Sequence, residues 1–240
     1  MVVTEATACT LVTGGTGVVG QAVVRRLLAT GRRVCLTYGA NSTVAERLVA
    51  EAPGLVAVRA DLRSLNIAQL LDKVADRAGP VEALVHAAAL VDHTPVASLD
   101  AEHFAEVLTV NVTAAFALAR ELAKRGTLRD VVLLSSIAAS IADLGSVAYT
   151  TSKGATDALT RALALHLAPV RVNAVAPGII RSHRTDGDPL FSGPAARIPD
   201  AALVAPGAVA DVVSYLLDGA PDALSGQVLG VDGGASLRRL

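Results

Sequence analysis

Residues Tyr149 to Lys153, YTTSK, pair a phenol with an ammonium four positions later. If a helix runs through them the two side chains share a face, and a nearby positive charge helps a tyrosine hydroxyl give up its proton. The pair then describes a proton-transfer site. A surface turn entering a helix explains the same five residues, so the spacing is informative only in a context that positions it. Two further stretches are rich in polar or glycine residues beside apolar runs. TGGTGVVG, Thr13 to Gly20, has the composition of a phosphate-binding turn, and VVLLSS ends in a hydroxyl, Ser136, thirteen positions before Tyr149.

The elements around these residues are legible as an alternation. Short β-branched runs (CTLVT, RVCLTY, LVAVRA, VEALVHAA, DVVLLS, VRVNAVA, QVLGVD) are separated by stretches with helical apolar spacing, such as VVGQAVVRRLLAT, VAERLVAEA and SLNIAQLLDKVADRA. This order predicts an α/β, Rossmann-type doubly wound parallel sheet of seven strands with helices on both faces. The near-continuous apolar strands agree with a sheet covered on both sides. A site in such a fold lies beyond the carboxyl ends of the strands. The length, 240 residues, and the absence of a compositional break predict a single domain over residues 1–240.

One segment interrupts the rhythm. Ile179 to Gly207 carries Pro189, Pro194, Pro199 and Pro206, and it also holds Leu190, Phe191 and Ile198. A long excursion inside a compact domain, followed by a further helix and strand, predicts a substrate lid over 179–206.

Composition removes several function classes. A net charge of −1 gives no electrostatic basis for binding nucleic acid, and 2% aromatics with no Trp provide no stacking platform. The start of the chain has no basic leader and no apolar run approaches a membrane span, which predicts no membrane partner and a cytoplasmic location. Cys9 and Cys35 fall in neighbouring apolar strands and read as reduced core thiols. The five histidines form no ligand pattern, so no metal is expected.

The glycine turn follows the first strand and opens a helix, the context a dinucleotide cradle requires. Gly14 and Gly17 permit tight turns, Gly20 lets helix and strand pack, and the helix N-terminus attracts a pyrophosphate. The second strand ends TYGANST with no carboxylate to hold a ribose 2′-hydroxyl or repel a 2′-phosphate. Asn41, Ser42 and Thr43 offer donors there, so NADP (NADPH) is expected over NAD. No arginine is visible nearby, since Arg32 and Arg33 stand at the other end of that strand, about 15 Å away. Asp61 after the third strand is placed either to meet the adenine or to cap the next helix.

With these motifs in order, the whole chain resembles the short-chain dehydrogenase/reductase family. Ser136 and Tyr149 are separated by that family's thirteen residues, Asn111 in NVTAAF matches its helix asparagine, Pro177-Gly178 its Pro-Gly, and SGQVLGVDGG its closing strand. The resemblance implies a catalytic set of Asn111, Ser136, Tyr149 and Lys153. Tyr149 would be the general acid, Lys153 the cation that lowers its pKa from about 10 and holds the nicotinamide ribose, Ser136 a donor to the substrate oxygen, and Asn111 the holder of a water leading to Lys153.

It further implies that the cofactor runs past Gly14, Thr16, Gly17 and Val18, then Tyr38, Asn41 and Ser42, then Asp61 and Leu62, then Ala87 and Ala88. It would end at Tyr149, Lys153, Pro177, Gly178, Ile180 and Ser182, the last replacing the usual threonine. Where the family has Asn-Asn-Ala-Gly, this chain has His86-Ala87-Ala88-Ala89, which removes an amide that braces the sheet. The overall layout is most similar to 3-oxoacyl-[acyl-carrier-protein] reductases. It implies a homotetramer and a ketone substrate that is a small molecule or is bound to a carrier protein. Lys124, Arg125 and Arg129 are cations able to meet an acidic carrier, although a solvated helix end is the simpler explanation of them. An alcohol, sugar or steroid dehydrogenase of the same family, and a non-catalytic dinucleotide sensor, are the alternative readings.

Overall fold

The computed structural model describes residues 8–64, 66–141, 147–183, 185 and 203–237. Seven strands, β1 (Cys9–Thr13), β2 (Val34–Tyr38), β3 (Val56–Arg59), β4 (Val81–His86), β5 (Asp130–Leu134), β6 (Arg171–Pro177) and β7 (Val228–Val231), form one sheet in the order β3-β2-β1-β4-β5-β6-β7. Every pairing is parallel. All seven expected strands are present, and the doubly wound prediction holds.

The helices are α1 (Val18–Ala29), α2 (Ser42–Glu51), α3 (Ile67–Ala78), α4 (Ala101–Leu108), α5 (Ala114–Lys124), α6 (Val147–His166) and α7 (Pro206–Asp218). Alternate strand residues point to opposite faces, so the core divides in two. Leu11, Cys35, Leu84 and Leu133 pack with Leu70, Leu71 and Val74 of α3, Leu118 and Leu122 of α5, and Leu163 of α6. Val12, Leu36, Val85 and Val132 pack with Val23, Val24 and Leu27 of α1, Leu48 of α2, and Val209, Val213 and Leu216 of α7. Cys9 and Cys35 are buried and free, and burial pushes their thiols up to about 11 and about 12.

Two features of this frame place the chemistry. Strand order reverses at β1, whose neighbours are β2 and β4, so a crevice opens between the carboxyl ends of β1 and β4. Helix α6 buries mainly small and polar side chains, Ala148, Ser152, Thr156 and Thr160 along one stripe. The hydroxyls of Thr156 and Thr160 donate to carbonyls one turn back, which removes their need for outside partners. A helix lined with such short groups sits close to what it packs on.

The base of the expected lid is fixed by a parallel bridge between Ile180 and Val204. Leu190, Phe191 and Ile198, with most of 179–206, lie outside the described residues. Among the described residues no helix is long and apolar enough to cross a membrane.

Candidate active site

The glycine turn meets the end of β4. Gly14 has φ +64°, a left-handed conformation, and a Cβ there would lie 2.6 Å from the Ala88 Cα. Only glycine fits both conditions. A Cβ on Gly20 would come within 2.2 Å of the Gly14 oxygen, as expected for close packing of helix and turn. Gly17 is different from its expectation. It has an ordinary φ of −71° as the N-terminal cap of α1, and a Cβ there would be 3.3 Å from the Gly14 oxygen. The stronger steric demand falls on Gly15, whose Cβ would be 2.6 Å from the Leu36 Cβ.

At α1's start, Gly17 and Val18 are exposed, no side chain caps the end, and no acid stands in the first turn. The turn therefore presents bare backbone donors with positive dipole character beside a surface on which a Cβ would intrude, as a dinucleotide pyrophosphate needs.

The side walls follow the remaining strand ends. Beyond β2, Asn41 caps α2 by accepting from the Val44 amide at 3.4 Å, and Ser42 is the first residue of that helix. Strand register sets Arg59, the exposed last residue of β3, beside Tyr38. A guanidinium thus stands one strand from the end of β2, a cation that inspection of β2 alone did not reveal.

Asp61 does not cap α3, whose cap is Asn66. Its carboxylate is bound by Arg63 at 2.7 and 2.8 Å and is held down to about 2 by those hydrogen bonds. Leu62 packs with Val110 and Ala114 against Ala88. On the far side, β6 ends at the buried Pro177, and Gly178 is pressed between β7 and the lid base, a Cβ there falling 3.0 Å from the Asp232 Cα and 3.2 Å from Val204. Ile180 forms the bridge to Val204, and the Ser182 amide donates to the Thr185 hydroxyl at 2.7 Å.

The expected catalytic residues lie on three elements. Tyr149 and Lys153 are one turn apart on α6, with the lysine Nζ 5.3 Å from the centre of the tyrosine ring. Lys153 is 3% exposed, and its Nζ donates to the Leu134 carbonyl at 2.6 Å. Burial pushes its pKa down to about 8, against an opposing pull from Asp157.

Ser136 caps the short 3₁₀ turn Ile137–Ala139 that follows β5 and packs against α6. Its Oγ accepts from the Ala138 amide at 3.2 Å, which leaves the hydroxyl proton to donate outward. Capping and oxygen-binding are thus compatible in the same hydroxyl.

Asn111 sits in a π-helical turn, Thr109–Thr113, between α4 and α5. Both amide hydrogens are engaged, with the Leu90 carbonyl at 3.1 Å and the Ser152 hydroxyl at 2.9 Å, and Oδ1 accepts from the Leu90 amide at 2.7 Å. A water can be held by this side chain only through the second lone pair of Oδ1. Ser152 in turn donates to the Tyr149 carbonyl at 2.7 Å, so Asn111 ties the loop that leaves β4 to the helix that bears the tyrosine.

His86 corrects the expectation that the sheet loses a brace. It is 3% exposed, with Nδ1 3.0 Å from the Thr13 hydroxyl and Nε2 3.1 Å from the Val110 carbonyl. Because a carbonyl only accepts, Nε2 carries the proton and Nδ1 accepts from Thr13. Thr13 Oγ1 itself accepts from the Ala88 amide at 3.3 Å. The imidazole therefore links the ends of β1 and β4 to the turn carrying Asn111, and burial pushes its pKa down to about 4.

A family model described as Enoyl-(Acyl carrier protein) reductase matches residues 16–236. The chain belongs to the short-chain dehydrogenase/reductase family. It is 35% identical to the granaticin polyketide synthase putative ketoacyl reductase 2 of Streptomyces violaceoruber, over 95% of each chain. It is 31% identical to a 3-oxoacyl-[acyl-carrier-protein] reductase of a Synechocystis strain, over 93% of this chain and 95% of that one. Its structure superposes on a variant actinorhodin polyketide ketoreductase solved with NADPH with a TM-score of 0.85 and 28% identity, over 98% and 99% of the two chains. The chain is an oxidoreductase of this family, most like its 3-oxoacyl-[acyl-carrier-protein] reductases.

Ser152, Ser135 and Asp157 of this short-chain reductase carry no mark in the sequence, and nothing local shows that Thr13 and His86 meet. Their signal is positional. Thr13 and His86 are the last residues of β1 and β4 and stand in register with one another.

Proposed function

We propose that this short-chain reductase is an NADPH-dependent ketoreductase acting as one domain on a 3-oxoacyl thioester, carried by an acyl carrier protein or a polyketide chain. The observation that carries the reading is a buried Lys153 ammonium 5.3 Å from the centre of the Tyr149 ring, beyond the carboxyl end of β5, with the Ser136 hydroxyl on the adjoining turn. Two sorts of relative support the thioester class, one named a ketoacyl reductase of a polyketide synthase and the other a 3-oxoacyl-[acyl-carrier-protein] reductase.

Bound NADPH supplies the hydride that turns the carbonyl carbon into that of an alcohol. The protein's part is proton supply and placement. Tyr149 gives its phenolic proton to the carbonyl oxygen as negative charge builds there. A charged Lys153 favours the tyrosinate that results and so brings a pKa of about 10 toward neutrality. Ser136 donates a hydrogen bond to the same oxygen and stabilises it most when its charge is greatest. Asn111 holds Leu90 and Ser152, and through them the wall between β4 and α6. Gly14, Gly15 and Gly20 let the turn pack tightly on Ala88, Leu36 and itself and so shape the pyrophosphate cradle, and Asn41, Ser42 and Arg59 supply donors for a 2′-phosphate.

The carrier-protein contact finds limited support at the end of α5. Lys124 pairs with Glu121 at 3.4 Å and Arg125 with Asp72 at 2.7 Å, so two of the three cations are already neutralised. We assign the chain to the cytoplasm on its buried, unpaired thiols, and to a homotetramer on the apolar groups left open on its helices, among them Phe116 and Leu165. The deciding test is NADPH oxidation over β-ketoacyl thioesters, simple ketones and sugars. The thioesters should give the highest kcat/KM; a sugar or plain alcohol turned over better, in the oxidative direction, would overturn the substrate assignment.

A further inference from the structure

Ser135, immediately before the serine of the proposed catalytic set, is 3% exposed. Its hydroxyl donates to Oδ1 of Asp157 at 2.5 Å and lies 3.5 Å from the Lys153 carbonyl. Asp157 stands one turn beyond Lys153 on α6, so Tyr149, Lys153 and Asp157 follow one another at intervals of four along a single face. The residues on the other side of this bond are just as closely grouped. Leu134, whose carbonyl receives the Lys153 ammonium, precedes Ser135, and Ser136 follows it. One side-chain bond therefore joins the segment 134–136 to the helix at the level where both halves of the proposed proton-transfer site are mounted.

We propose that Asp157 is a positioning residue of this site. Through Ser135 it fixes the Ser136 turn against α6, and its negative charge keeps the buried Lys153 in the ammonium form. The proposal rests on the reading of Ser136, Tyr149 and Lys153 given above.

Burial of an amine disfavours its cation, and a carboxylate one turn away favours it. Among the described residues, the ionisable groups facing Lys153 are Tyr149 and Asp157 on its own helix and His86 from the end of β4. His86 would oppose the ammonium if it were charged, but its burial keeps it neutral down to about 4. Asp157 is thus the group that offsets burial. Without it, the Lys153 pKa moves from about 8 toward neutrality, and a growing fraction of the enzyme has no cation beside Tyr149 at the pH where it works.

The experiment compares Asp157→Asn, Asp157→Glu and Ser135→Ala with the unaltered protein. Lys153 is titrated in each ligand-free protein by NMR of its ε-carbon, with Lys153→Arg to assign the signal, and kcat is followed against pH with NADPH and a β-ketoacyl thioester. In Asp157→Asn the Lys153 pKa should fall by about one unit, the size of a single close charge, and the alkaline limb of kcat should move toward neutral pH with it. Asp157→Glu should restore most of both. Ser135→Ala keeps the charge and loses the tether, so kcat should fall about 10-fold with little change in KM and a smaller change in the titration.

An unshifted Lys153 titration in Asp157→Asn together with an unchanged kcat in Ser135→Ala would overturn the proposal. Should Asp157→Asn fail to fold, Ser135→Ala decides the tether: an unaltered kcat overturns it. Failure of the underlying reading shows separately, as retained turnover in Tyr149→Phe, and leaves the ligand-free titration to decide the charge relationship on its own.

Discussion

Lys153 places its ammonium 2.6 Å from the main-chain carbonyl of Leu134, at the end of the neighbouring strand β5. A buried cation is tolerable only when a partner replaces lost hydration, and here that partner is backbone from the segment that also carries Ser136. The sheet end and helix α6 are thereby locked together at the point where the proton donor stands.

Tyr149→Phe keeps the ring against which Lys153 rests and removes only the hydroxyl. Turnover should fall at least about 100-fold, while NADPH affinity, measured by fluorescence titration, stays near its original value. Retained turnover would remove Tyr149 as the proton donor.

Cofactor choice is testable at Gly39, just past β2. A Cβ there meets nothing within 4 Å, so Gly39→Asp adds a carboxylate without steric cost. The unaltered protein should bind NADPH more tightly than NADH, and Gly39→Asp should erase or reverse that order by repelling the 2′-phosphate. Tighter binding of NADH by the unaltered protein would contradict the reading of TYGANST.

His86 makes acid stability a direct readout of its bracing role. Its folded pKa of about 4 lies below the ordinary value of 6.5, so the unfolded chain binds the additional proton between those values. Stability from this group is present in full above pH 6.5 and declines as pH falls to about 4, by roughly 3 kcal/mol in all. Urea unfolding at pH 7, 5.5 and 4.5 should show a steeper loss in the unaltered protein than in His86→Asn, whose amide does not titrate. Parallel losses in the two proteins would show that the imidazole is not held neutral.

Assembly follows from what the helices leave open. Phe116 on α5 is 44% exposed and Leu165 on α6 is 75% exposed, although α6 already buries another stripe on the sheet. Light scattering at micromolar concentration should report a tetramer, and Phe116→Glu or Leu165→Glu should shift it to smaller species. A monomer would contradict the expectation.

The sequence by itself determined the seven-stranded parallel sheet, because a strand buried on both faces must be apolar throughout and a crossover helix must show its own period between strands. The proposed catalytic set was legible there only through the family resemblance; what spacing supplied was the pairing of Tyr149 and Lys153, which one turn of α6 does bring together. The tertiary structure alone decided what meets across the sheet. Thr13 and His86 are 73 residues apart and touch because β1 and β4 are in register; no local pattern announces that an imidazole replaces an amide brace there. Arg59 comes beside the end of β2 only by strand pairing, and Ser135 meets Asp157, 22 residues on, only where α6 packs beside the end of β5. Periodicity records which face of an element is buried, whereas hydrogen bonds and charge pairs between elements depend on register and approach distance, which exist only once the chain has folded.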